Sequence, residues 1–383
     1  ALVSAYDAEF GDLVVVRHDK DGNRAAIDYV DGVPSVVATA DPNGPRLGIR
    51  EEGPDVGTHT SIAVDAAGLA RVAYHDVDGN ALKVALETAP RQWTTHSVDA
   101  GDAGRGQTGT FTDIVVTPSG RVVVAYLAHD TELAGVTGAA TGLKIARSRT
   151  ATPRAAADWE LFTVDARPFV VDPALRDESP EFPRGRGLHA SLALDGEDAV
   201  VAYYDATDGD VRVARLAGAN VSVAVVDGDG AAGHLSGDVG RFPTLAVRGA
   251  DLFVVYEDFT RHTLRFWKGP KATPGTGGTY DIADQLREPL RSGSHFVGAG
   301  ARLDASGAKP VLVYQDASTL DLRFSTFAAD EFTPQTVLSD GAQGFYTDVA
   351  VAQGRAFVCS VVAELDPRGK ERSQLRLDVQ QLP

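Results

Sequence analysis

AYYDATDGDV at 202–211 and AYDAEFGDL at 5–13 spell one phrase almost two hundred residues apart: Tyr-Asp-Ala, two variable residues, Gly-Asp, then an aliphatic. The Asp of this Tyr-Asp pair recurs as Asp7, Asp76, Asp205, Asp258 and Asp316, each behind a short apolar run. Six residues after each comes an aliphatic that opens another run: Leu13, Leu82, Val211, Leu264 and Leu322. A fixed interval between two apolar runs predicts a β-hairpin of fixed turn length, because turn length sets strand register.

Two further marks flank the phrase. GTHTSIAVD (57–65), GTFTDIVV (109–116), GLHASLALD (187–195), GRFPTLAV (240–247), GAGARLD (298–304) and GFYTDVAV (344–351) each open on glycine. They then alternate with the period of a strand. Downstream, an Asp closes each unit: Asp31, Asp99, Asp165, Asp227, Asp284 and Asp340. Each unit therefore reads as four short strands, A to D, with the Tyr-Asp phrase at the end of B. Four-stranded units at this period predict a β-propeller.

The fold expected is all-β: a seven-bladed β-propeller of four-stranded antiparallel blades with an incomplete seam blade, six blades being the alternative. The blades fall at about 1–32, 57–99, 106–165, 185–230, 236–284, 293–340 and 341–383 of one domain. Little reads as helix beyond a turn or two around Ile282–Leu290. The chain opens inside a B strand and contains no methionine, so residues upstream of Ala1 are expected to complete the first blade.

Composition narrows the partners. With 53 acidic against 36 basic residues the formal charge is −17, which repels phosphate backbones and anionic lipid. Nucleic acid is not an expected partner. Nor is membrane insertion, since the apolar runs are only strand-length. The single cysteine, Cys359, permits no intrachain disulfide and reads as a small core hydrophobe.

HTSIAVDAAGLARVAYHD (59–76) and HASLALDGEDAVVAYYD (189–205) resemble a tandem repeat of bacterial secreted and cell-surface β-propellers. The resemblance covers most of 57–340 and implies an extracellular or cell-surface location, with any signal segment already removed. The architecture is also similar to sialidase-like propellers, but the Asp box Ser-x-Asp-x-Gly-x-Thr-Trp is absent, so sialidase chemistry is not carried over.

The crossovers 32–56, 100–108, 166–186, 228–239 and 285–297 are long and the A–B turns tight, with a further expanded B–C turn at 129–142. Long loops at one end of a rigid scaffold are where binding concentrates. Toward that end lie His59 and His189, with Phe111, Phe242 and Tyr346 at equivalent positions, and His75, His129, His234 and His295 in or beside loops. Two residues on, Ser61, Asp113, Ser191, Thr244, Arg302 and Asp348 are expected to ring the central channel. The candidate ligand-binding set is His59, Asp113, His189, Arg241, Arg302, Tyr346 and Asp348.

The leading expectation is a module binding a glycan or an extracellular protein. The rivals are a polysaccharide lyase or glycosidase, with His189, Arg302 and Tyr346 as candidate catalytic groups, and a structural part of a larger surface assembly. The once-per-blade Asp reads as structural, since an active site needs one or two such groups. DKDGN (19–23) and DVDGN (76–80) carry alternating oxygen donors but lack the glycine of a calcium loop at the sixth position. Hairpin chemistry explains both, with calcium at Asp76, Asp78 and Asn80 the weaker alternative. GDGAAG (228–233) follows a strand but precedes no helix, so it is not a dinucleotide loop.

Overall fold

The computed structural model describes all residues except 36–40, 42–43, 102–105, 169–183, 232, 283–296, 329–330, 340, 366–368, 370 and 383. Among the described residues, helix is limited to the 3-10 turns Pro45–Gly48 and Ala156–Asp158. No helix among them is long and apolar enough to cross a membrane.

The strands form seven sheets, each joining neighbours in chain order. The first sheet holds β1 (Leu2–Asp7), β2 (Asp12–His18) and β3 (Arg24–Asp31). The second holds β4 (Val56–Val64), β5 (Ala70–Asp76), β6 (Ala81–Ala89) and β7 (Gln92–Asp99). In the third are β8 (Gln107–Val116), β9 (Val122–Glu132), β10 (Ala139–Ser148) and β11 (Trp159–Pro168). The fourth comprises β12 (Arg186–Asp195), β13 (Asp198–Asp205), β14 (Asp210–Ala217) and β15 (Asn220–Asp227). The fifth is β16 (Val239–Arg248), β17 (Asp251–Asp258), β18 (Thr263–Pro270) and β19 (Thr279–Ile282). The sixth is β20 (Val297–Asp304), β21 (Val311–Asp316), β22 (Asp321–Ala328) and β23 (Glu331–Leu338). The last has β24 (Ala342–Ala352), β25 (Arg355–Leu365) and β26 (Glu371–Gln381). The fold is a seven-bladed β-propeller of antiparallel blades, with three strands in the first and last sheets and four in the others. Residues 2–31 form a blade of their own, which sets the six-bladed alternative aside.

By packing, the chain divides into two compact units, Ala1–Ala199 with Leu216–Val221, and Val200–Arg215 with Ser222–Pro383. In each, apolar side chains of successive blades interleave. Leu82 and Val84 meet Val122, Val124 and Tyr126 in the first unit, and Val255 and Phe266 meet Leu312 and Tyr314 in the second.

The repeated sequence marks turn out to be the joints of this packing. Gly57 and Gly109 both have positive φ (108° and 92°). A Cβ on either would lie 2.8 Å from Leu13 Cα or 2.6 Å from Leu82 Cα, the aliphatics that open the previous blade's C strand. The leading glycine and the aliphatic thus recur together because one seats against the other. The Tyr of strand B pairs with the closing Asp of the preceding blade. Tyr74 Oη donates to Asp31 at 2.6 Å, Tyr126 to Asp99 at 2.7 Å and Tyr256 to Asp227 at 2.7 Å. Lys83 and Lys144 bond to the same carboxylates in the first two cases.

The Asp of the opening phrase serves its own hairpin. Asp7, Asp76, Asp205, Asp258 and Asp316 each accept a backbone N–H from the following turn, from Glu9, Gly79, Thr207, Arg261 and Ser318. Each such bond is worth about 1 kcal/mol, more to an ionised acceptor. This is the structural role expected of a once-per-blade carboxylate.

Two local expectations are corrected. In the third blade the strands run through Glu132 and resume at Ala139, so the 129–142 segment is mostly extended ladder and the turn itself is short. Cys359 is half-buried rather than a core residue, and it stands across the ladder from Asp348. Most of the Ile282–Leu290 segment, with Asp284, His295 and Asp340, lies outside the described residues, as do parts of all five long crossovers.

Candidate functional site at the bulged inner strands

The A strand of every blade that has one carries an irregularity at the same place. The residue two after the leading glycine is left-handed: His59 (φ 51°), Phe111 (51°), His189 (53°), Phe242 (47°), Gly300 (63°) and Tyr346 (50°). Register between A and B slips there, between Thr58 and Ser61, Thr110 and Asp113, Arg241 and Thr244, Ala299 and Arg302, and Phe345 and Asp348. Such bulges re-aim a side chain and end regular pairing. Holding a non-glycine residue left-handed costs of order 1 kcal/mol or more. Five of the six positions nevertheless carry an aromatic or imidazole ring.

In the first unit these rings form a row. The centroids of His59 and Phe111 are 4.8 Å apart, those of Phe111 and His189 4.6 Å, all within the range of favourable aromatic pairs. His75 joins edge-on, 6.3 Å from His59, and its Nδ1–H donates to the Thr108 carbonyl at 2.9 Å. His59 keeps an exposed surface, yet the protein around it strips its hydration. That desolvation, aided by His75, lowers its pKa to about 4. The ring is therefore neutral at pH 7.

Behind the bulges, the expected polar ring is largely a belt of hydrogen bonds between blades. Ser61 Oγ donates to Asp113 at 3.0 Å and accepts the Ile114 N–H at 3.2 Å. Asp113 also accepts the Leu192 N–H at 2.6 Å, and Thr244 accepts that of Leu303 at 2.8 Å. The residue after the bulge adds a second tie: Thr112 donates to the His59 carbonyl and Thr347 to that of Gly300. Asp113 accordingly spends both carboxylate oxygens on structure.

Arg241, in the second unit, is likewise engaged. Its guanidinium donates to Asp238 at 2.5 Å and lies 3.4 Å from the centroid of the Phe259 ring. Tyr204 donates to the same Asp238 at 2.7 Å. Across the ladder from Arg241 stands Glu257, a residue the sequence did not single out. It is 4 % exposed, and burial raises its pKa to about 7 against the pull of Arg241, with Asp238 and Asp258 adding to the rise. Its signal was positional: Glu257 occupies the site before the repeated Asp where Tyr6, His75, Tyr204 and Gln315 each bond forward, to Asp55, Thr108, Asp238 and Gln343.

Arg302, Tyr346 and Asp348 fall together in the second unit, whereas His59, Asp113 and His189 belong to the first. Tyr346 is 86 % exposed. Asp348 keeps an exposed surface, but the enclosing protein raises its pKa, opposed by the neighbouring Arg302 and a 2.8 Å bond from the Val349 N–H.

The segments with oxygen-donor spacing are turns. Asp76 takes the Gly79 N–H at 2.8 Å, Asp78 takes that of Asp55 at 3.0 Å, and the Asn80 carbonyl takes that of Thr108 at 3.1 Å. Asp19 caps its own turn through the Asp21 and Asn23 N–H groups. Among the described residues, the carboxylates clustered closely enough to share a cation are Asp205, Asp208 and Asp210. The Arg212 guanidinium already lies within 3.0–3.3 Å of all three.

Neither a protein-family model nor a curated protein sequence matches the chain. Solved structures do. The periplasmic gluconolactonase of Pseudomonas aeruginosa matches with a TM-score of 0.51 and 13% identity, over 100% of this chain and 99% of that one. A puromycin-hydrolyzing peptidase of Mycobacterium tuberculosis gives 0.49 and 12% over 98% of this chain and 53% of its own. The Aleuria aurantia lectin, solved with α-methyl-L-fucoside, gives 0.46 and 10% over 85% and 95%. At these identities the likeness is one of fold.

Proposed function

We propose that this protein is an extracellular or cell-surface binding module for glycans, and that the bulged inner strands present the contact groups. The row His59–Phe111–His189 carries this reading. Its rings sit on strands rather than loops, which gives a pre-organised surface. Pyranose rings offer an apolar C–H face that suits aromatic faces, with polar groups at the edge fixing orientation. A neutral His59 supports a neutral saccharide over a phosphate or sulfate, since it brings no positive charge at pH 7.

The test is a glycan array followed by titration calorimetry of any retained glycan against His59→Ala and Phe111→Ala. A loss of tenfold or more in either variant, with the melting temperature preserved, is the expected result. An array with no retained glycan, beside a stoichiometric protein companion in native pull-downs, would replace the glycan with a protein partner or a surface assembly. New reducing ends or unsaturated-uronate absorbance during incubation would instead make the protein a polysaccharide-active enzyme. His189, Arg302 and Tyr346 would then be the first groups to mutate.

A further inference from the structure

The sixth blade breaks the pattern of its neighbours twice within three residues. At the bulge it has Gly300, where every other A strand carries a ring. Crowding does not demand this glycine, because an added Cβ would meet nothing closer than 3.8 Å. Gly298, two residues earlier, is different: a Cβ there would lie 2.4 Å from the Leu264 side chain. At this bulge the sixth blade therefore presents a notch, a bare backbone beside that of Tyr346 and Thr347, where the fifth carries Phe242 and the last carries Tyr346.

Two residues on, Arg302 stands where Ser61, Asp113, Ser191 and Thr244 stand in other blades. Ser61, Asp113 and Thr244 accept an N–H from the next blade. A guanidinium has no acceptor and cannot take that place. The orphaned N–H, that of Val349, turns instead to its own neighbour Asp348 at 2.8 Å. Arg302 is thus released from the structural belt. Among the described residues its guanidinium has one hydrogen bond, from Nη1 to the Ala301 carbonyl at 3.1 Å. The Asp348 carboxylate lies near enough to feel its charge but forms no direct ion pair with it among the described residues.

We propose that the Gly300 notch, with Arg302, Asp348 and the exposed Tyr346 around it, binds the carboxylate of an acidic saccharide of the uronate class. This rests on the glycan reading above but uses different residues, all in the second unit. Arg302 supplies the planar donor pair that suits a carboxylate. Tyr346 offers a ring face to the sugar. Asp348 in its protonated form donates a hydrogen bond to the bound carboxylate, and in its ionised form repels it. The enclosing protein raises the Asp348 pKa against the pull of Arg302, so the donating form persists to higher pH than in an ordinary carboxyl. The other groups facing Asp348 do not compete. Asp304, held by the Val351 and Ser306 N–H groups, adds to the rise of the Asp348 pKa, and the surrounding protein with Asp348 drives the Cys359 thiol upward, so it stays protonated.

The experiment is ligand-observed NMR and calorimetry with D-glucuronate, D-glucose and acetate, on the full chain and its Arg302→Gln, Arg302→Lys and Asp348→Asn variants. Glucuronate is expected to bind at least tenfold more tightly than glucose and to lose at least tenfold in Arg302→Gln, with Arg302→Lys between. Its affinity should fall as pH rises through the Asp348 titration, and Asp348→Asn should flatten that profile. Glucuronate binding unchanged in a folded Arg302→Gln variant overturns the carboxylate site and leaves the first-unit ring row untouched. Acetate binding as tightly as glucuronate overturns the saccharide at this site, while the glycan reading, which rests on the first-unit row, stands or falls by its own array and titration.

Discussion

Tyr126 donates its phenol proton to Asp99 across the boundary of two blades, at 2.7 Å and with both side chains buried. Lys144 bonds the same carboxylate from the other side. Removing the hydroxyl in Tyr126→Phe leaves an ionised acceptor one donor short, which should cost roughly 1.5–3 kcal/mol. Removing the carboxylate in Asp99→Ala strands Lys144, only 12% exposed, and should cost more, about 3–5 kcal/mol. Urea denaturation of the three proteins measures both differences. Equal stability of Tyr126→Phe and the parent would mean that the repeated Tyr is there for its ring alone.

The same carboxylate gives a signed dependence on pH. Burial works against its ionised form, but Lys144 and Tyr126 outweigh burial and hold its pKa below the usual value. A carboxyl depressed on folding stabilises the native state above its unfolded pKa, near 4, and loses that contribution as pH falls through the folded value. Carbon-detected NMR should show Asp99 titrating below an ordinary aspartate, and Tyr126→Phe should move it upward.

His59 acts with the same sign in a different, higher window. Its pKa falls from the usual 6.5 to about 4 on folding, so between these values the unfolded chain takes up a proton that the native state refuses. Stability should decline as pH drops across that range. His59→Phe should flatten the decline while keeping a ring in the row. A profile unchanged by this substitution would place the titration elsewhere.

Gly109→Ala brings a Cβ within 2.6 Å of the Leu82 backbone at a φ of 92°. The blades would have to separate, and a loss of more than about 2 kcal/mol is expected. Gly68→Ala is the control. Its φ is 81°, but nothing lies within 4 Å of the added carbon, so only the conformational cost of roughly 1 kcal/mol should appear. Thermal melts of the two variants separate the clash from the strain.

Tyr346→Gly should be nearly neutral for stability. The ring is 86 % exposed, and relief of its left-handed strain, about 1 kcal/mol, offsets the entropy that glycine adds to the unfolded chain. A large loss on melting would show that Tyr346 is a packing residue and not a contact group.

The sequence determined the architecture because a propeller solves the same packing problem once per blade, and the same residues return each time. The leading glycine, the aliphatic, the Tyr-Asp phrase and the closing Asp were all visible as a period. What they do for one another was not. That Tyr74 reaches Asp31, or that Gly109 seats on Leu82, links neighbouring repeats, and spacing within one repeat carries no record of it. The candidate site was half legible for the same reason. His59, Phe111, His189 and Tyr346 stood out as equivalents, but only backbone dihedrals show that they share a left-handed bulge. Likewise only the belt of hydrogen bonds shows Asp113 spent on structure and Arg302 released from it. Periodicity records which way a strand faces, whereas availability for a ligand depends on what neighbouring blades have already claimed.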